Sequence, residues 1–167
     1  MNELSSDTPV LESLEFEKSL NKAIAYACRL LGVREYAQKM ILKKLTDKGF
    51  DNKIALQTLE FLVDNGWQSD QRFCESFIRG RVAKGQGYRR IKFELAQKGI
   101  DEQLSRNGFE QLEIDWQEVC NSVAIKKIAT IKDIRESKAR LKVERFLQYR
   151  GFSNDQIRTA IDSQSKI

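Results

Sequence analysis

The sequence contains no histidine, which removes Ser-His-Asp and Cys-His catalysis and most zinc sites. Its one proline, Pro9, stands near the start, so from about residue 17 onward nothing of that kind interrupts a helix. Three cysteines, Cys28, Cys74 and Cys120, form an odd, widely spaced set that fits neither a disulfide framework nor a CxxC metal motif. Each sits among apolar helical neighbours and reads as a small buried hydrophobe in a reducing cytosol. No run approaches the roughly 18 apolar residues of a spanning helix. The acidic opening MNELSSDTPVLESLEFE also lacks the basic and apolar regions of a signal peptide. The expected location is the cytoplasm, with no membrane contact and no cofactor.

Strand signals are nearly missing as well: there is no sustained alternation and no hairpin turn between β-branched runs. What is present is 41% hydrophobic and 32% charged, with long runs of Leu, Ile, Ala, Lys, Glu, Gln and Arg that favour helix. The chain is expected to be all-α. Residues 1–15 read as a flexible acidic tail. A first helix is expected from Phe16 to Leu31, a second near 35–47 ending at Gly49, and a third capped by Asp51 and closed by Gly66. The same order recurs: a helix capped by Ser69 or Asp70, a Gly85-Gln86-Gly87 joint, a helix ending at Gly99, and another starting at Asp101. A final set runs from Asp115 to the end.

Registering these sets on their second-helix endings exposes a repeat. LTDKGF at 45–50, LAQKGI at 95–100 and LQYRGF at 147–152 share the form Leu-x-x-(Lys/Arg)-Gly-apolar. Ile41, Ile91 and Val143 stand eight residues before the three glycines, and Leu59, Phe109 and Ile161 ten after. Twenty-two residues before them stand Ala27, Phe77 and Ala129. The expectation is three stacked three-helix, helix-turn-helix-like units at 16–66, 67–113 and 114–167. Each glycine should take the left-handed C′ conformation, its apolar neighbour closing the cap and the preceding cation facing the helix dipole. Phe73, Phe77, Ile91, Leu95 and Leu147 are expected in the core. Asn107-Gly108 should shorten or bend its helix.

Charge is segregated. Residues 67–100 carry eight Lys and Arg against three acids, and 126–150 carry nine against three, whereas 101–118 hold six acids to one arginine. Two positive blocks, one per unit, suggest a surface for phosphates or an assembly that contains them. The contact candidates are Arg72, Arg79, Arg81, Lys84, Arg89, Arg90, Arg140, Lys142, Arg145 and Arg150. Gly85-Gln86-Gly87 lacks the third glycine, the strand and the GK[ST] of a phosphate loop and reads as a hinge or tight connection. The acids of 101–118 read as a solvated face or a complement to a basic neighbour, and Trp67 and Trp116 as packing anchors. No enzyme constellation remains, so the chain is expected not to be an enzyme.

DQRF at 70–73, RGRVAKGQG at 79–87, IKFELAQKGI at 91–100 and KVERFLQYRGF at 142–152 together resemble the bacterial RecX regulatory proteins. The resemblance covers residues 20–162. The chain departs from the usual pattern at Tyr88, where proline is common, and near Glu35-Tyr36, where a capping serine is common. The resemblance implies an elongated, curved array of three three-helix units. It also implies a negative regulator that lodges in the helical groove of the RecA–DNA filament. Such a regulator inhibits filament growth, ATP hydrolysis, strand exchange and co-protease activity, and acts as a monomer with weak or indirect contact to DNA phosphates. The alternative from the residues themselves is a helical DNA-binding regulator that acts without RecA.

Overall fold

The computed structural model describes residues 8–131, 133–134 and 136–164. Among them are nine α-helices and no strand: α1 (Thr8–Leu31), α2 (Gln38–Asp47), α3 (Asn52–Asp64), α4 (Asp70–Ala83), α5 (Tyr88–Gln97), α6 (Glu102–Gln111), α7 (Trp116–Ile128), α8 (Ser137–Arg150) and α9 (Asn154–Gln164). They fall into three sets of three. The chain forms two compact units, one ending at Phe73 and the other beginning at Cys74, so the division falls inside α4.

α1 starts at Thr8 rather than at Phe16, so residues 8–15 are helix and not a loose tail. Pro9 fits there because the first turn of a helix does not need its missing N–H. Residues 1–7 of the expected tail lie outside the described residues.

The helix-stop pattern is realised three times. Gly49, Gly99 and Gly151 have φ of +96°, +87° and +95°. In each case the following residue donates its N–H to the carbonyl of the leucine that opens the repeated motif: Phe50 to Leu45 at 3.1 Å, Ile100 to Leu95 at 3.1 Å, Phe152 to Leu147 at 3.2 Å. This pairing, with the glycine N–H bonded one residue inside it, is the Schellman cap and satisfies carbonyls that the helix end would leave orphaned. Third helices start on side-chain caps. Asp51 accepts from Lys53 N–H and Asp101 from Leu104 N–H, both at 2.8 Å. Ser153 and Gln156 cap reciprocally at the start of α9, a capping box.

The core repeats with the caps. Ile41, Leu45, Ile91, Leu95, Val143 and Leu147 are fully buried on the second helices. Leu59, Phe109 and Ile161 are buried on the third. The match assigned to Ala27, Phe77 and Ala129 fails. Ala27 is buried, Phe77 is half-buried, and Ala129 is exposed at the end of α7. The buried first-helix pairs are instead Ala23 with Ala27, Cys74 with Ile78, and Cys120 with Ala124. Each pair is spaced four apart, but its distance to the glycine varies because the three connections to the second helix differ in length. Phe77 leaves the core because its ring carries the Arg81 guanidinium at 4.7 Å and the Lys98 ammonium at 5.4 Å, contacts that need a wet edge.

Small residues let first and third helices approach. Thr58, Gly108 and Ala160 occupy one repeat position and are all buried. α6 is not interrupted by Gly108. A β-carbon there would stand 2.9 Å from Cys74 Sγ and 3.1 Å from Ile78 Cδ1, so this glycine serves close packing, and α6 at 10 residues is the shortest of the third helices, against 13 for α3 and 11 for α9. Cys74 and Cys120 are fully buried and Cys28 partly so. Burial pushes the Cys120 thiol up to about 11, as expected where a thiolate would lose its water.

In the first unit, the missing serine cap of α2 is supplied from outside the helix. Ala37 precedes α2 without a side-chain cap, and the Gln38 N–H donates to Asp70 Oδ1 at 2.8 Å. Buried Gln68 donates from Nε2 to the same oxygen at 2.8 Å and to Tyr36 O at 3.0 Å. Ser69, not Asp70, caps α4, accepting from Arg72 N–H. Asp70 is therefore spent on α2.

Within the second unit, the Gly-x-Gly joint is a docking point. Gly87 N–H donates to Arg150 O at 2.8 Å and Arg89 N–H to Gly151 O at 3.2 Å. A β-carbon on Gly87 would lie 2.6 Å from the Gly151 carbonyl, and one on Gly151 would lie 2.5 Å from Arg90 N. The backbones of the second and third helix sets meet here with no room for a side chain. Tyr88, in the place of the usual proline, begins α5 and puts its ring 4.4 Å from Phe109 and 5.8 Å from Trp116. Trp116 is the packing anchor expected. Trp67 packs edge-on to Phe61 at 5.4 Å and stays half-exposed.

Candidate cationic grooves

The ten candidate cations separate by what they touch. Arg72 donates to Glu35 at 2.8 Å and to Trp67 O at 3.0 Å. Arg79 pairs with Glu75 at 3.4 Å. Arg81 lies 2.9 Å from Glu94 Oε2 and Arg90 3.0 Å from Glu94 Oε1. Arg90 also donates to Tyr149 O and stacks 4.6 Å from the Tyr149 ring centroid. Its proton is held above the ordinary arginine range, chiefly by the Tyr149 side chain and then by Glu94. Arg140 donates to Asp162 at 2.7 Å and Glu144 at 3.2 Å, and Asp162 foremost holds its proton more firmly. Arg150 donates to the carbonyls of Lys84 and Gly85 and stacks on Phe146. These six cations are engaged with their own chain. Lys84, Arg89, Lys142 and Arg145 are exposed and have no ion pair among the described residues.

A groove of about 640 Å³ in the second unit gathers both positive blocks. The end of α4 contributes Lys84, α7 contributes Lys126 and Lys127, and α8 contributes Arg150. Val82, Ala83, Val119, Val123 and Phe146 form its apolar floor, and Glu118 is the one acid on its lining. Phe146 carries Lys127 at 5.1 Å and Arg150 at 5.0 Å. The arrangement suits a negatively charged partner with an apolar anchor: the floor takes the anchor out of water and the rim meets the charge.

A second groove, about 480 Å³, lies between α5 and α8 and is lined by Arg89, Arg90, Phe93, Gln97, Gln148 and Tyr149, with Glu94 already paired. Lys126, Lys127, Phe93 and Tyr149 are not among the ten candidates. The aromatics had a readable signal. Phe93 stands two residues from both Ile91 and Leu95, and Tyr149 two from Leu147. That is about 200° around the helix from a core stripe.

Fold and grooves define a class: an all-helical tandem array of three-helix units that presents cationic surface. The chain matches three family models in order: the first three-helix domain of RecX over residues 23–62, the second over 69–107 and the third over 113–161. It is 39% identical over 139 residues to the regulatory protein RecX of Vibrio vulnificus, covering 83% of this chain and 90% of that one. The regulatory protein RecX of Yersinia enterocolitica is 32% identical over 161 residues, covering 84% and 96%. A crystal structure of regulatory protein RecX superposes with a TM-score of 0.81 at 21% identity, over 97% of this chain and 81% of that one. RecX from Lactobacillus salivarius gives 0.74 at 23%, over 90% and 99%; at such identity the likeness is one of fold. The chain belongs to the RecX family of regulatory proteins.

Proposed function

We propose that this chain is a negative regulator of the RecA recombinase. It binds the RecA–DNA filament in its helical groove and inhibits filament growth, ATP hydrolysis, strand exchange and co-protease activity. It acts as a cytoplasmic monomer and performs no chemistry of its own. The observation that carries this reading is the groove where Lys84, Lys126, Lys127 and Arg150 ring an apolar floor. A filament groove offers protein side chains beside DNA phosphates, and this lining has a counterpart for each. Of the ten cations, Lys84, Arg89, Lys142 and Arg145 make the intermolecular contacts in this reading. Arg72, Arg79, Arg81, Arg90, Arg140 and Arg150 serve mainly by holding the fold that presents them.

The test is RecA-dependent ATP hydrolysis on single-stranded DNA, with wild type and with Lys84→Glu, Lys126→Glu and Lys127→Glu combined. Each charge sits on an exposed or half-exposed rim position, so the variant should fold. We expect the inhibitory concentration to rise by at least about tenfold and its salt dependence to flatten. Undiminished inhibition by the triple variant would remove this groove from the reading. Tight, sequence-selective duplex binding by wild type with no effect on RecA would favour a DNA-binding regulator that acts alone.

A further inference from the structure

The α5–α8 groove differs from the first in kind. Its lining has no Val, Leu or Ile, so it provides no aliphatic socket for a protein anchor. It has two aromatic rings held out in water, Phe93 at 62% and Tyr149 at 73% exposed. Large rings so exposed cost solvation free energy unless something covers them.

The Tyr149 ring is preorganised. Arg90 is fixed by its bond to Glu94 at 3.0 Å and by a second to the Tyr149 carbonyl at 3.2 Å, and its guanidinium lies over the ring. The remaining ring surface is open, and so is Phe93. Gln97 and Gln148 also line the groove, the Gln148 amide donating to Asn154 at 3.4 Å.

Charge surrounds the cleft without being answered. Arg89 lines it. Arg145 and Lys142 precede Tyr149 by four and seven residues on α8, which is one helix face. The helix rise sets them about 6 Å and about 10 Å along the axis from Tyr149. All three are exposed and lack an ion pair among the described residues.

We infer that this groove is a binding site for single-stranded nucleic acid, in which an unpaired base stacks on Phe93 and Tyr149 while Arg89, Arg145 and Lys142 meet the flanking phosphates. Aromatic faces accept any base, and amides bond to its edge. Cations on one helix face follow a strand. A duplex keeps its bases stacked on one another and cannot use the rings, so the site prefers an unpaired strand. This goes beyond the filament reading and does not need it, because the site acts on bare strand.

The test is fluorescence anisotropy with a labelled thymidine oligonucleotide, an abasic strand of the same length and a duplex of the same length, in the absence of RecA. We expect wild type to bind the thymidine strand more tightly than either of the others. Phe93→Ala with Tyr149→Ala should lower thymidine-strand affinity by about tenfold to a hundredfold and leave abasic-strand and duplex affinity unchanged. Phe93→Tyr with Tyr149→Phe keeps both rings and should restore it. Arg89→Ala, Lys142→Ala and Arg145→Ala together should weaken all three probes and reduce the salt slope by about two on the single strands and by up to about three on the duplex. Equal affinity of wild type for abasic and base-bearing strands would overturn the proposal. So would loss of RecA inhibition by the alanine pair with bare-strand binding intact, which would make the rings a protein contact.

Discussion

Gly87→Ala isolates the docking of the second and third helix sets from every other effect of a glycine. The backbone at Gly87 has φ −88° and ψ 166°, which alanine adopts without strain, so conformation alone predicts a gain of about 0.4–1 kcal/mol from a stiffer unfolded chain. Against it stands the added methyl, 2.6 Å from the carbonyl of Gly151 and 2.7 Å from Phe152 N. Those are backbone atoms, and they yield only if the two helix ends part. Overpacking of this kind costs about 1–3 kcal/mol. Parting also weakens the bonds Gly87 N–H to Arg150 O and Arg89 N–H to Gly151 O, at about 0.5–1.5 kcal/mol each. The net expectation is a loss of about 2–4 kcal/mol. Two other glycines serve as controls. Gly80 lies within α4 with nothing within 4 Å of a β-carbon, so Gly80→Ala should gain up to about 1 kcal/mol. Gly49 also has open space but φ +96°, so Gly49→Ala should lose about 1–2 kcal/mol to backbone strain alone. Urea titration followed by helical circular dichroism orders the three variants. A Gly87→Ala midpoint at or above that of wild type, or one equal to that of Gly80→Ala, would refute the docking argument.

Leu95 is fully buried, and Leu95→Ala should cost about 2–5 kcal/mol; a loss below about 1 kcal/mol in the same titration would contradict its core place. Asp70→Ala strips the α2 cap and leaves the Gln68 amide without its carboxylate, so a loss of about 1 kcal/mol is expected, with Asp70→Asn retaining part of it; wild-type stability in Asp70→Ala would show that the Gln38 bond contributes nothing. Because native Cys120 keeps its proton up to about 11 against an ordinary 9.0, the native state binds more protons than the unfolded one between those values, and stability should fall as pH rises through that window. Cys120→Ala should flatten the fall; an unchanged slope would remove Cys120 as its source. Native Cys74 and Cys120 should also resist a thiol reagent that reaches Cys28 first, by their burial.

The sequence by itself determined the helical class, the three-unit organisation and the helix stops. These are local properties: the Leu-x-x-(Lys/Arg)-Gly-apolar stretch closes its helix with bonds among its own backbone groups, and Ile41–Leu45, Ile91–Leu95 and Val143–Leu147 carry their spacing in the chain. It also placed the two positive blocks. Only the tertiary structure decided which cations are spent. Arg81 and Arg90 converge on Glu94, Arg140 turns to Asp162, and Arg150 reaches the Lys84 carbonyl. Arg90 and Glu94 stand four apart on α5, a spacing the sequence does record; the other pairings join helices or connections whose approach no linear spacing records. The first-helix register was misread for a related reason: a fixed offset from the glycine assumes connections of equal length, and those after Leu31, Ala83 and Ile128 are unequal. Gly87, Gly108 and Gly151 look alike in the sequence as helix punctuation. Their shared purpose, close approach of one helix to another, exists only once the partner is in place, because an absent side chain has meaning only against the atoms that would have met it.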